Sequence, residues 1–443
     1  MTETTEGGAV TPRESLNQQQ LDDIVKAHGQ FLRHKPGGVR ARLALHDLTG
    51  LDLSHRNLSA ADLTGARLEN VDLTGPRLVA TNLFAVDLTG ANLTDCNLAR
   101  ADLRGVQARG ADFTRARMID TDLRDGQLMT AAKDRSLELV IYERPVAAME
   151  RAIVHDADLS RARLSDAFVV QADLTDSVLR EAKLVRADLR QANLTGCDLV
   201  GADFSEANLC GAVFRGAVFD GTVLDYADFT DADLVGAVFD CVNLEKVDLS
   251  TAQTAVGLDQ LDRSLRDIVG EHAAWVATNG DEGRRAELAR ADLSDAQLPT
   301  AMLAAADLSY CVLRNADLSG ASLVMADLSY ADLRGADLSQ ADLRGARMER
   351  AILSGANLSS ARLGEMAFAQ KAKAGGACVT DLNHAKLTRT DLRGADLFRA
   401  NLAGARCDAA AFTDANLAGA RFVEANLTDA DFTGAVLDGT DFG

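Results

Sequence analysis

Residues 61–75 read ADLTG ARLEN VDLTG, and the apolar residue at every fifth place decides the fold. An α-helix turns about 100° per residue, so a five-residue period walks around it and never builds one apolar stripe. A straight strand alternates faces with period two, so an odd repeat would throw successive leucines to opposite sides. Both objections vanish if the chain turns a corner within every repeat. The Leu or Phe at the centre of each repeat then points inward, four repeats close one coil, and coils stack through short parallel β segments. The residue two before the centre, mostly Ala, also faces inward, and it must be small because four sides converge there. The residue just before the centre and the two after it face water or form the turn. Gly50, Gly65, Gly75 and Gly90 stand at the second position after a centre, where a tight turn calls for positive φ.

The period holds over most of the chain. Centres run in step from Leu48 to Leu128, Val154 to Leu249, Leu288 to Phe368 and Leu382 to Phe442, which makes 67 repeats over 335 of 443 residues. The pattern A(D/N)LXX closely resembles the pentapeptide-repeat family. That resemblance implies an all-β solenoid, a right-handed quadrilateral β-helix.

Three interruptions divide the repeats. Residues 129–148 shift the phase by one residue and read as an irregular loop with a helical start. Residues 369–381 contain AKAGGAC and read as a surface loop. The third, at 258–287, carries Leu265, Ile268, Val269, His272, Trp275 and Val276 at helical spacing on one face. Leu21, Ile24, Val25, His28, Phe31 and Leu32 repeat the pattern near the N-terminus, 244 residues earlier. Each run is followed by a Gly-containing loop and an Arg-rich step (Arg40–Arg42; Arg284–Arg285), then by the first repeats at an offset of 245. The reading is a duplicated unit in which an amphipathic helix covers the open first coil. The resemblance extends to this helix, which bacterial members of the family also carry before their repeats. His28 and His272 are expected to pack at the edge of the cap. The boundaries that follow are a disordered tail at 1–14, a capping helix and loop at 15–43, and a β-helix at 44–257. A second cap at 258–287 and a second β-helix at 288–443 complete the chain, the two units stacked or bent. At the other end the chain finishes in mid-repeat, so Leu437 and Phe442 would sit in an uncapped coil. Family members often dimerise through this end, which makes a homodimer one expectation.

Composition excludes several functions. There are 46 basic and 66 acidic residues, a net charge of −20. Nucleic-acid binding relies on Lys and Arg neutralising phosphates, and anionic membrane surfaces attract the same residues, so neither is expected. No apolar run is long enough to cross a bilayer as a helix. The start, MTETTEGGAVTPRESLNQQQ, lacks a basic-then-apolar signal region, and a cytoplasmic location follows as the default. Seven cysteines are scattered without a CxxC pair. Cys96, Cys197 and Cys311 take the small inward position and Cys407 a centre, so they read as buried reduced thiols rather than metal ligands. No cofactor is implied.

With 20 residues per coil, positions 20 apart are vertical neighbours about 4.8 Å apart. In the first tract Asn57, Arg77, Asn97 and Arg117 form one mixed-basic wall. It lies between walls of Asp52, Asp72, Asn92, Asp112 and of Asp62, Asn82, Asp102, Asp122. Residues 201–250 differ, with ten acidic and two basic residues, net −8. There Asp220 is set under Asp240, Asp225 under Glu245, and Asp228 under Asp248. Like charges directly opposite one another are destabilising, so this negative ladder is the best candidate for a selected surface. Beside it, Val213, Val218, Val223 and Val238 take an outward place usually given to Asp or Asn, with Val218 under Val238. Tyr310 and Tyr330 stack one coil apart on the second unit.

Catalysis wants a concave pocket with converging polar groups, and a shaft filled with Leu, Phe and Ala offers none. No GxxxxGK[ST], HExxH or GxSxG motif is present. Two readings remain open. The first is a non-enzymatic scaffold presenting acidic faces to an unknown protein partner. The second is implied by the resemblance: some family members protect DNA gyrase from quinolones by mimicking B-DNA in size and charge. DNA carries one charge per ~1.7 Å. A continuous rod of these coils would be roughly 80 Å long and offer about one charge per 4 Å, while residues 201–250 reach roughly one per 1.5 Å.

Overall fold

The computed structural model describes residues 14–126, 129–131, 137–139, 148–367 and 377–443. The tail before Glu14, the centres Leu128 and Phe368, and most of the two loops at 129–148 and 369–381 lie outside those residues.

Most repeats among the described residues end in the same corner. The Ala61 N–H donates to the Leu58 carbonyl at 2.9 Å, and Ala60 between them has φ of 59°. A closed four-residue turn with positive φ only at its third residue is type II. The repeat forces this conformation on whatever residue falls there: Gly65 (62°) and Gly75 (67°) accept it freely, while Asn70, Asp95, Arg100 and Tyr310 adopt it too. The Asp or Asn before the centre holds the turn from outside. Asp62 Oδ1 accepts from the Thr64 N–H at 3.2 Å and the Thr64 hydroxyl at 2.7 Å. The motif A(D/N)LXX is therefore a small inward residue, a turn acceptor, an inward apolar residue and two corner residues.

Coils join by single rungs on each face. The Leu63 N–H donates up to Asn82 O at 2.8 Å and the Asn82 N–H donates down to Ala61 O at 3.0 Å, giving the parallel bridge Asp62↔Asn82. Because a corner follows each bridge, few extended strands form, yet the stack is a right-handed quadrilateral β-helix. Where a segment is inserted the coil continues regardless. Bridge partners 20 residues apart become 41 apart at Arg117↔Asp158 and 34 apart at Arg347↔Asp381. The inserted segments leave the coil as antiparallel pairs, β3 (Met129–Ala131) with β4 (Leu137–Leu139) and β5 (Met366–Ala367) with β6 (Ala377–Cys378). The helical start read at 129 is thus replaced by a strand.

The chain forms two compact units, Met1–Gln253 and Thr254–Gly443, each with its own apolar core. Unit 1 opens with β1 (Glu14–Ser15), which pairs in parallel with β2 (His46–Asp47), so Glu14 belongs to the fold rather than to the tail. The helix α1 (Gln18–Leu32) begins at a capping box. Asn17 Oδ1 accepts from the Gln20 N–H at 2.9 Å, and Gln20 Oε1 accepts from the Asn17 N–H at 2.8 Å. Leu21 is buried, and Leu16, Ile24 and Val25 pack on the core of the coils. Unit 2 opens with a 3-10 turn, Leu258–Gln260, and α2 (Leu265–Ala277), capped by Ser264 Oγ accepting from the Asp267 N–H at 3.1 Å. Ile268 is buried there, with Leu261, Leu265 and Val269 packed beside it. Among the described residues nearly all centres and inward alanines are buried from Leu43 to Leu234 and from Leu288 to Phe422, Ala301 being half-buried.

Candidate interaction surface

The acidic stretch 201–250 forms the last coils of unit 1. Behind it the rings of Phe219 and Phe239 stack at 4.6 Å, and the Gly221 N–H donates to the Asp240 carbonyl at 3.0 Å. Asp220 and Asp240 follow those stacked centres, so both half-buried side chains rise from adjacent rungs of one face. Asp225 has a different setting. Lys246 places its Nζ 2.5 Å from Asp225 Oδ2 and 5.3 Å from the Tyr226 ring centroid. That hydrogen bond holds the Lys246 ammonium above its ordinary range. The opposition of Asp225 and Glu245 read from spacing is thus broken by a cation next to Glu245, which itself is exposed.

Asp228 and Asp248 serve their own corners. Thr230 donates its hydroxyl (2.6 Å) and its N–H (3.0 Å) to Asp228 Oδ1, and the Ser250 N–H donates to Asp248 at 2.9 Å. These bonds hold both carboxyls below the usual carboxylate range. Among the described residues no bridge joins Asp228 to Asp248, although one joins Asn208 to Asp228. The coil that carries Glu245 and Asp248 keeps its corner bonds, Val247 N–H to Leu244 O and Ala252 N–H to Leu249 O, both 3.1 Å. Its centres are only half-buried.

Val218 and Val238 form a parallel bridge, as their spacing requires, but they make no apolar patch. Val238 is 1% exposed, and residues 232–236 before it are buried as well, so this outward face is covered. Val218 and Val213 are half-buried, and Val223 is exposed. In unit 2 the Tyr310 and Tyr330 rings stack at 4.9 Å with 7° between planes, both half-buried. Leu437 (40%) and Phe442 (46%) are exposed, the latter ring lying 5.6 Å from that of Phe422.

Sequence reasoning missed a set of arginine clamps on the outer faces. Arg180 Nε lies 2.7 Å from Asp198 Oδ2, Arg215 Nε 2.7 Å from Asp233 Oδ2, and Arg314 Nε 2.6 Å from Asp332 Oδ2. All three aspartates are buried. Each sits one rung above a valine, Val178, Val213 or Val312. The signal was available: Val, then Leu or Phe, then Arg, with Asp 18 residues after the Arg. Asp332 is the deepest, and Arg334 grips it from the other side at 2.8 Å. Burial pushes its carboxyl above the usual range against the pull of Arg314. Arg215 and Lys246 are the two cations of residues 201–250, and each is committed to an aspartate of that stretch.

Cys96, Cys197, Cys311 and Cys407 are buried thiols, and burial pushes those of Cys96, Cys311 and Cys407 up to about 12. Among the described residues no group of His, Cys, Asp and Glu is placed to hold a metal ion, and no helix is long and apolar enough to cross a membrane.

A family model described as pentapeptide repeats matches residues 41–75, 81–125, 157–196, 197–234, 219–252, 301–335, 331–365, 380–406 and 405–443. No curated protein matches significantly. Among solved structures, full-length QnrB1, a plasmid-mediated fluoroquinolone resistance protein, aligns at 17% identity over 47% of this chain and 93% of its own, with a TM-score of 0.25. HetL, a pentapeptide repeat protein involved in heterocyst differentiation regulation in the cyanobacterium Nostoc sp. strain PCC 7120, aligns at 21% identity over 92% of this chain and 96% of its own, with a TM-score of 0.14. Rfr23, a pentapeptide repeat protein of the cyanobacterium Cyanothece 51142, gives 30% identity over 26% and 64%, with a TM-score of 0.11. Similarities of that size carry no argument about a partner. The repeat itself is decisive, and the chain belongs to the pentapeptide-repeat family.

Proposed function

We propose that the protein is a non-enzymatic scaffold that offers acidic faces of its β-helix to a protein partner with a basic surface. The observation that carries this reading is the pair Asp220 and Asp240, fixed on adjacent rungs above stacked phenylalanines, with Glu245 exposed on the coil beyond. A carboxylate row on a hydrogen-bonded base meets its partner already ordered, which lowers the entropic cost of docking. Complementary charge then supplies orientation and speed of encounter. Affinity capture from lysate tests it, comparing wild type with the Asp220→Asn, Asp225→Asn, Asp240→Asn, Glu245→Gln variant. The reading expects a captured protein to disappear. An unchanged set makes the acidic row a solvated wall.

DNA mimicry toward a type II topoisomerase is the second reading, favoured by the charge of −8 on residues 201–250. Two features weaken it: Asp233 is buried against Arg215, and Asp225 is paired with Lys246. A supercoiling assay with purified gyrase separates the two. The scaffold reading expects neither protection nor inhibition at micromolar protein. The proposal also includes self-association through the exposed Leu437 and Phe442, for which sedimentation of a version lacking the last twenty residues is the test. An unaltered mass discards it.

A further inference from the structure

The start of unit 1 is a basic stretch in a chain whose net charge is −20. Residues 24–46 hold five Lys and Arg and no Asp or Glu. The equivalent stretch of unit 2, 268–291, holds three Arg and four acids. The two stretches build the same cap. The Ala41 N–H donates to His28 Nδ1 at 3.1 Å, as the Ala286 N–H does to His272 Nδ1 at 2.9 Å. Arg40 Nε donates to Ala60 O at 2.5 Å, as Arg285 Nε does to Ala305 O at 2.6 Å. Arg40 is therefore the cation that the architecture needs. The other four have no basic counterpart: Gly270 stands for Lys26, Ala277 for Arg33, Asn279 for Lys35 and Glu287 for Arg42. Glu271, which pairs with Arg263 and Arg284, stands where unit 1 has Ala27. Arg33 donates from Nε to the Gly29 carbonyl at 3.0 Å at the end of α1, but a cap of this design folds without Lys26, Lys35 and Arg42, so their charge serves something other than the fold.

Lys26, Arg33, Lys35 and Arg42 are exposed, and among the described residues no carboxylate lies within ion-pairing distance of them. Arginines elsewhere in unit 1 are commonly paired, as Arg115 is with Asp95, Arg161 with Asp120 and Arg186 with Asp166. Three of these four cations line a groove of about 460 Å³ between α1 and the first coil, together with His55, Arg56 and Asn57. Asp22, the acid of this groove, is held by Arg56 at 2.9 Å. We infer that this groove docks a short acidic segment of a protein partner. The occupant follows from the surroundings. An extended phosphate backbone or a lipid surface would reach beyond the groove onto the neighbouring coils, which carry Asp52, Asp62 and Asp72, and like charges there repel it. A peptide of a few acidic residues touches only the cap.

Fluorescence anisotropy with a labelled octaglutamate peptide and the full chain tests this, alongside a labelled DNA duplex, phosphatidylserine vesicles and octalysine. At about 50 mM salt the octaglutamate binds the wild type, and binding falls steeply toward about 300 mM. The Lys26→Glu, Arg33→Glu, Lys35→Glu variant, its circular dichroism unchanged, binds at least tenfold more weakly. Replacing Arg163, Arg362 and Arg421 by Glu leaves the affinity within about twofold, because none of those cations lines the groove. Equal binding by the cap variant and the wild type overturns the site. A cap variant that weakens octalysine as much as octaglutamate overturns the charge argument, and tighter binding of the duplex or the vesicles overturns the choice of occupant.

Discussion

At the scale of single residues, the acid in A(D/N)LXX is a structural acceptor before it is a surface charge. Asp52, Asp62, Asp228 and Asp317 each accept from a Ser or Thr two residues on. The spacing rule located these residues on the outside but could not show the bond, because an Asx turn depends on the corner's dihedrals and not on period. The same corner makes a prediction that inverts the usual rule for glycine. Ala60 sits at φ 59°, where its Cβ crowds the following carbonyl. Ala60→Gly should therefore raise stability by about 1 kcal/mol, even after the added flexibility of the unfolded chain. Chemical denaturation reads this, and a loss of stability would show that the corner does not strain Ala. The clamps add a second test. Arg314→Met leaves the Asp332 carboxylate, 1% exposed, with one cation fewer, and should cost about 3 kcal/mol. Arg314→Met with Asp332→Leu should be more stable than Arg314→Met alone, since no buried charge is left behind. A double variant less stable than the single would refute the clamp as a compensated buried charge.

At the scale of elements, the helices show how much of an amphipathic pattern is legible and what is lost. The apolar spacing of Leu21, Ile24 and Val25 or of Ile268 and Val269 is a property of the chain alone. The histidines inside that pattern reveal their role only in three dimensions. His28 accepts the Ala41 N–H through Nδ1 while its Nε2 faces the Ser59 carbonyl at 3.0 Å, so the neutral ring ties helix, return loop and first coil together. Burial, with Arg40 nearby, holds the pKa of His28 below its ordinary value, and burial with Arg285 nearby does the same for His272. The folded state thus binds fewer protons than the unfolded chain as pH falls. The stability due to these rings is complete above the unfolded value of about 6.5 and declines through the interval down to the lowered folded value. Melting temperature should fall between pH 7 and pH 5 more steeply in the wild type than in the His28→Gln, His272→Gln variant, which itself should lose about 1 kcal/mol per site at pH 7. Parallel curves would mean that the rings do not titrate within the cap. The inserted segments lie beyond reading from period altogether. A break in phase announces them, but the antiparallel pairing of Met129–Ala131 with Leu137–Leu139 is not encoded by a five-residue period.

At the scale of the whole molecule, the repeat made the coil readable to the residue while the candidate surface was readable only in part. Vertical neighbours such as Val218 and Val238 follow from counting by twenty, but their exposure does not, because burial depends on the packing around a residue and not on its period. Lys246 escaped notice for the same reason: it reaches 21 residues back to Asp225, one off the vertical. The duplication carries a consequence for folding. Solenoid stability is a sum of repeat and nearest-neighbour terms, and each unit here has its own helix and its own continuous core. Phe214 is buried in one core and Phe412 in the other. Replacing either by Ala should remove about 3–5 kcal/mol from its own unit. Calorimetry of the wild type should then resolve into two transitions, with Phe214→Ala lowering one and Phe412→Ala the other. A single transition displaced equally by both substitutions would mean that the two cores unfold as one cooperative body, and that the duplicated cap does not divide the chain energetically.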